Sequence, residues 1–78
     1  MSNLYSSKDI EKVLFILNFN FISQKGSHGK FKNEEGKIVI LPMNKPEIPL
    51  GTFRSILKQI GINRDTFIKL FEKKLKNS

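Results

Sequence analysis

Apolar residues recur at helical spacing in three stretches of the chain. Ile10, Val13, Leu14 and Leu17 fall at i, i+3, i+4 and i+7, and so do Phe53, Ile56, Leu57 and Ile60. Phe67, Leu70, Phe71 and Leu75 give a third stripe. Ser6, with Asp9 three residues on, has the form of a capping box and predicts a first helix from about Ser7 to Asn18. Thr52 is the expected cap of the second helix, and Gly61 its stop. Asn63 is the expected cap of the third, with Asp65 in its first turn.

Between the first two stripes the period changes. Phe21-Ile22-Ser23-Gln24 is short and β-prone, and Lys25-Gly26-Ser27 interrupts it. His28 to Asn33 alternates around Phe31, and Glu34-Glu35-Gly36 reads as a turn. Lys37-Ile38-Val39-Ile40-Leu41 is the clearest strand, rich in β-branched residues and ended by Pro42. Met43 to Gly51 holds two further prolines and a glycine, so it reads as a loop. The expected architecture is α+β. A three-stranded antiparallel meander lies between helices in the order α-β-β-β-α, with a short extra C-terminal helix. Double-stranded-RNA-binding domains share this order. Helices on one sheet face leave the other for solvent or a partner. The 78 residues, 1–78, are expected to form one domain.

Composition sharpens this picture. Fourteen Lys and Arg against seven Asp and Glu give a net charge of +7. That excess points to a polyanionic partner such as nucleic acid or an acidic protein. The chain has no cysteine, which excludes a disulfide framework, a thiol nucleophile and thiolate-bound metal. One histidine leaves no His–His metal pair. The apolar runs Val13–Leu17 and Ile38–Leu41 are far too short to span a bilayer, and the N-terminus has no signal-peptide pattern. A reducing cytoplasm is the expected compartment. So short a chain buries about 60–65% of its unfolded surface, which favours a groove or a flat binding face over a deep cavity.

Gly26-Ser27-His28 is the unusual cluster. Gly26 permits a positive φ and close approach of a phosphate. Ser27 can donate a hydrogen bond. Histidine is the side chain that gains or loses a proton most readily near neutral pH, so His28 is the candidate acid–base group. Lys25 and Lys30 flank it and can hold phosphates. The plainer reading is a polar turn with an exposed histidine. Arg54 and Lys58, four apart on the second helix, form a second basic candidate. Lys69, Lys73 and Lys76 recur on the last helix, where a solvated face accounts for them equally well. Glu34-Glu35 reads as a solvated hairpin turn rather than a glycosidase pair. No P-loop and no Ser-His-Asp arrangement is present.

Three pieces of the sequence together resemble the HicA toxin family of type II toxin–antitoxin modules. One is the first amphipathic helix leading to Phe21. The second is Gln24-Lys25-Gly26-Ser27-His28 with Phe31 three residues on. The third is Ile38-Val39-Ile40-Leu41-Pro42 followed by Leu50-Gly51-Thr52-Phe53-Arg54-Ser55-Ile56-Leu57-Lys58-Gln59-Ile60-Gly61-Ile62. The resemblance implies a double-stranded-RNA-binding-like fold and an mRNA interferase that works without a metal cofactor. It implies neutralisation by a HicB-type antitoxin in a hetero-oligomer. The family's catalytic histidine falls on His28, and its Gly and Ser on Gly26 and Ser27. An Arg that often precedes the Gly-Ser-His is replaced here by Ser23 and Gln24. A His that often follows the strand-ending Pro is replaced by Met43-Asn44-Lys45.

The chemistry expected is cleavage through the RNA's own 2′-OH. His28 acts as general base on that hydroxyl or as general acid on the leaving 5′-oxygen, and Lys25 and Lys30 stabilise charge on the phosphate. Phe15 lies off the core stripe of the first helix and is the candidate anchor for an antitoxin; a place beneath a loop is the alternative. Two other classes compete: a non-catalytic RNA-binding module of the same fold, and a DNA-binding regulator. Binding alone needs no proton-transfer group, and the C-terminal helices show no recognition-helix pattern.

Overall fold

A computed structural model describes residues 4–76, and side chains as far as residue 73. The Leu75 and Lys76 side chains and the tail at Asn77-Ser78 lie outside the described residues. The element order is α1 (Ser7–Ile16), β1 (Asn20–Lys25), β2 (His28–Lys32), β3 (Ile38–Pro42), α2 (Leu50–Ile60) and α3 (Arg64–Lys76). The strands form an antiparallel sheet in the order β1-β2-β3. This is the expected α+β, double-stranded-RNA-binding-like arrangement.

Local chemistry explains most of the boundaries. The Ser6 hydroxyl accepts from the Asp9 N–H at 3.1 Å, and the Asp9 carboxylate accepts from the Ser6 N–H at 3.0 Å. The capping box is therefore formed. α1 stops two residues earlier than its periodicity suggests, because Asn18 takes a left-handed φ of 66°. The Phe19 N–H then reaches back to the Leu14 carbonyl, and the Asn18 N–H to that of Phe15. These two bonds complete a Schellman motif with Asn in the position usually given to Gly. At α3 the Asn63 side chain accepts from the Thr66 N–H at 2.8 Å, as its capping role requires.

Two expectations are corrected. α2 begins at Leu50 rather than after Thr52, with Pro49 at the cap and no side-chain cap bond. The Phe53 N–H donates to the Pro49 carbonyl at 2.9 Å and closes a first turn that already contains Thr52. The last helix is not short. α3 has 13 residues against 11 in α2. Phe67 is fully buried, and Leu70 and Phe71 pack on the core, so α3 shares in the main core.

The helices cover one face of the sheet. β2 and β3 alternate between exposed and buried positions, with Pro42 half-buried at the end of β3. Gly29, Phe31, Val39 and Leu41 point inward. Phe31, Val39 and Leu41 meet Ile10, Val13 and Leu14 of α1, Phe53, Ile56, Leu57 and Ile60 of α2, and Phe67 of α3. Phe19 and the loop residue Ile48 complete the core. Tyr5 adds an aromatic cluster, with ring centroids 4.8 Å from Phe67, 5.2 Å from Phe71 and 5.4 Å from Phe53. No described helix is long and apolar enough to cross a membrane.

Candidate functional site

Side chains directly opposite on antiparallel strands share a face, so the register fixes the composition of the uncovered side. His28 pairs with Lys25 on β1 and Pro42 on β3. Lys30 pairs with Ser23 and Ile40, and Lys32 with Asn20 and Ile38. All except the half-buried Pro42 are exposed. The open face is a ladder of three rungs with a column of His28, Lys30 and Lys32 along its centre.

The His28 rung closes the hairpin. Lys25-Gly26-Ser27-His28 is a two-residue turn between β1 and β2. Gly26 has φ of 59°, and a Cβ there would meet nothing within 4 Å. Glycine is thus needed for backbone conformation and not for space. A positive φ at Gly26 and none at Ser27 is the pattern of the type II′ turn, whose twist suits a hairpin. The Gln24 side-chain amide donates to the Gly26 carbonyl at 3.0 Å and steadies the turn. On its far side the Met43 N–H donates to the Ser27 carbonyl at 2.7 Å. Both turn carbonyls are therefore held, Gly26 by a side chain of β1 and Ser27 by the backbone after β3. Ser27 belongs to the turn itself, so strand alternation does not set its direction relative to His28.

Gly29 has a separate role. A Cβ there would lie 2.8 Å from Met43 Sδ, 3.1 Å from Met43 Cγ and 3.3 Å from Phe31 Cε1. The missing side chain lets Met43 close over the inner face directly behind His28.

Of the residues selected from sequence, Lys25, Gly26, Ser27, His28 and Lys30 come together at one end of the open face. Arg54 and Lys58 do not join them. The Gln59 side chain faces the outer edge of β3, where it accepts from the Ile40 N–H at 2.8 Å. At about 100° per residue, Lys58 and Arg54 are rotated well away from Gln59. They are exposed and form a separate basic stripe. Lys32 and Ser23 also stand on this face. Lys32 was legible in the alternation of His28, Lys30 and Lys32. Ser23 was not, because the register shifts between Phe21 and Ser23 and places it opposite Lys30.

Chemically, the ladder offers an imidazole with ammonium groups on two sides. Directly opposite Cβ atoms lie about 4.5–5.5 Å apart. A phosphodiester over His28 is within reach of both Lys25 and Lys30. Among the described residues no group of three or more His, Asp or Glu could hold a metal ion.

Fold and face together define a small basic α+β protein with a histidine on an open, lysine-lined sheet. A family model described as the HicA toxin of bacterial toxin–antitoxin systems matches residues 7–62, and the chain belongs to that family. A search of curated proteins finds no match.

Proposed function

We propose that the protein is an endoribonuclease, an mRNA interferase, in which His28 carries the proton transfer. The observation that carries this reading is the exposed position of His28 between Lys25 and Lys30 on the open face. Abstraction of the ribose 2′-OH proton creates an oxyanion that attacks the adjacent phosphorus. The bond from phosphorus to the 5′-oxygen breaks, and that oxygen takes up a proton. The products are a 2′,3′-cyclic phosphate and a 5′-hydroxyl. His28 serves as the base at the first proton transfer or as the acid at the second. Water, a lysine or the substrate itself supplies the other. Lys25 and Lys30 offset the charge that builds on the phosphate oxygens, and the N–H groups and hydroxyl of Gly26-Ser27 lie beside it. Lys32, Arg54 and Lys58 extend the phosphate contacts away from the reacting bond. No metal ion enters this route. The partner in this reading is a HicB-type antitoxin, held with the toxin in a cytoplasmic hetero-oligomer.

The test is cleavage of labelled single-stranded RNA in EDTA, with His28→Ala alongside. Wild type should cleave, and the variant should lose about 10²–10⁴-fold in rate while binding RNA as before. Equal cleavage by both would remove His28 from the mechanism. RNA binding without cleavage by either would favour the non-catalytic module.

A further inference from the structure

Among the described residues no strand pairs with the outer edge of β1. β1 is the first strand of the sheet, and among the described residues it pairs with β2 alone. All six of its residues are exposed, whereas β2 and β3 each bury alternate positions. Its free side presents backbone N–H and C=O groups, a template for another strand. Two aromatic rings sit at this edge. Phe21 shares the inner face with Phe31, and the two centroids are 5.5 Å apart. Phe15 of α1 reaches the same Phe31 at 6.2 Å. Phe31 is fully buried, yet Phe15 and Phe21 are 51% and 45% exposed. A rigid buried ring thus props two others open to solvent beside an unpaired strand. Ile22, 53% exposed, adds an apolar side chain next to Phe21.

We propose that β1 is the docking edge for an extended strand of the acidic antitoxin partner. That strand would continue the sheet and set an apolar side chain against Phe15 and Phe21. The proposal rests on the toxin–antitoxin reading of the chain. Three occupants compete for such an edge, and the observations favour one. A polypeptide backbone matches the spacing of about 4.8 Å and the donor–acceptor pattern of a sheet edge, which a nucleic acid does not. A second copy of this chain would bring another +7 to the same place. An acidic strand brings the opposite charge, with Lys25 at the hairpin end of β1 to meet it. Alternation then sets its chemistry: apolar side chains on the Phe21 side and acidic ones on the Lys25 side.

The test uses the full chain and a synthetic ten-residue peptide alternating Val and Glu. Its Val–Lys counterpart and a single-stranded RNA oligonucleotide serve as comparisons. The readout is amide hydrogen exchange and chemical shift by NMR. The Val–Glu peptide should slow exchange at β1 amides and shift Phe15 and Phe21, and the Val–Lys peptide should not. A Phe15→Glu/Phe21→Glu variant should bind the peptide about tenfold more weakly, or worse, while its RNA cleavage stays at the wild-type rate. Absence of β1 protection, or shifts confined to His28, Lys30 and Lys32, would overturn the proposal. Protection of β1 on raising the protein concentration without peptide would assign the edge to a second copy. The same protection from RNA would assign it to nucleic acid. Peptide docking by a wild type that cleaves no RNA would leave the edge assignment standing and remove only the nuclease reading.

Discussion

The Ser7 hydroxyl donates to the Pro42 carbonyl at 2.6 Å and accepts from the Lys45 N–H at 3.0 Å. Pro42 is the cross-strand neighbour of His28. A side chain at the start of α1, 35 residues away in sequence, thus fixes the end of the rung that carries the candidate proton-transfer group. Ser7 is also the one polar residue among the buried set of the described residues.

Ser7→Ala removes two hydrogen bonds at a partly buried contact, leaving the Pro42 carbonyl without its donor and the Lys45 N–H without its acceptor. The expected loss is about 1–3 kcal/mol of folding free energy. Urea titration should show a lower midpoint with an unchanged slope. A midpoint equal to wild type would mean that water replaces the hydroxyl at no cost.

Gly29→Ala places a methyl group inside the space now filled by Met43. Overpacking of this kind costs about 1–3 kcal/mol. Because the two residues touch, the Gly29→Ala/Met43→Ala pair should be less destabilised than the sum of its singles, by about 0.5 kcal/mol or more. Additive melts would show that Met43 simply moves aside.

Lys30 and Lys32 occupy successive rungs of the open face but differ in distance from His28. Each change to Ala should lower the slope of log affinity against log salt for single-stranded RNA by about 0.7. Lys30→Ala should also slow cleavage at saturating RNA, since Lys30 is next to His28 in the column. Lys32→Ala should change affinity alone. Identical effects of the two on turnover would place the scissile phosphate further along the face than the His28 rung.

Much of this architecture was legible because local signals agreed with one another. The capping box at Ser6 and Asp9, the Gly61 stop and the Asn63 cap each set a boundary with short-range hydrogen bonds or a backbone preference. The strand at Ile38–Leu41 declared itself by β-branched residues and the proline after it. The site was partly legible for the same reason. Residues 25–28 form a turn, and a turn brings its own neighbours together. Two features that local signals did not reveal depended on distant contacts. Ile48, in a loop rich in proline, is fully buried, and its N–H donates to the Tyr5 carbonyl at 2.7 Å. The length and burial of α3 follow from the place its apolar face finds beside Tyr5 and Phe53.

By itself the sequence determined the element order, the sheet's hydrophobic face, the basic charge and the single histidine in a glycine turn. Periodicity, capping and composition act over a few residues and need no partner across the fold. Tertiary structure alone decided which side chains stand together. The shifted register in β1 set Ser23 opposite Lys30. The direction of α2 kept Arg54 and Lys58 off the His28 ladder. The reach of α1 propped Phe15 beside Phe21 at an open edge. Each of these depends on how strands slide and helices rotate against one another, and those choices are settled by packing across the whole core.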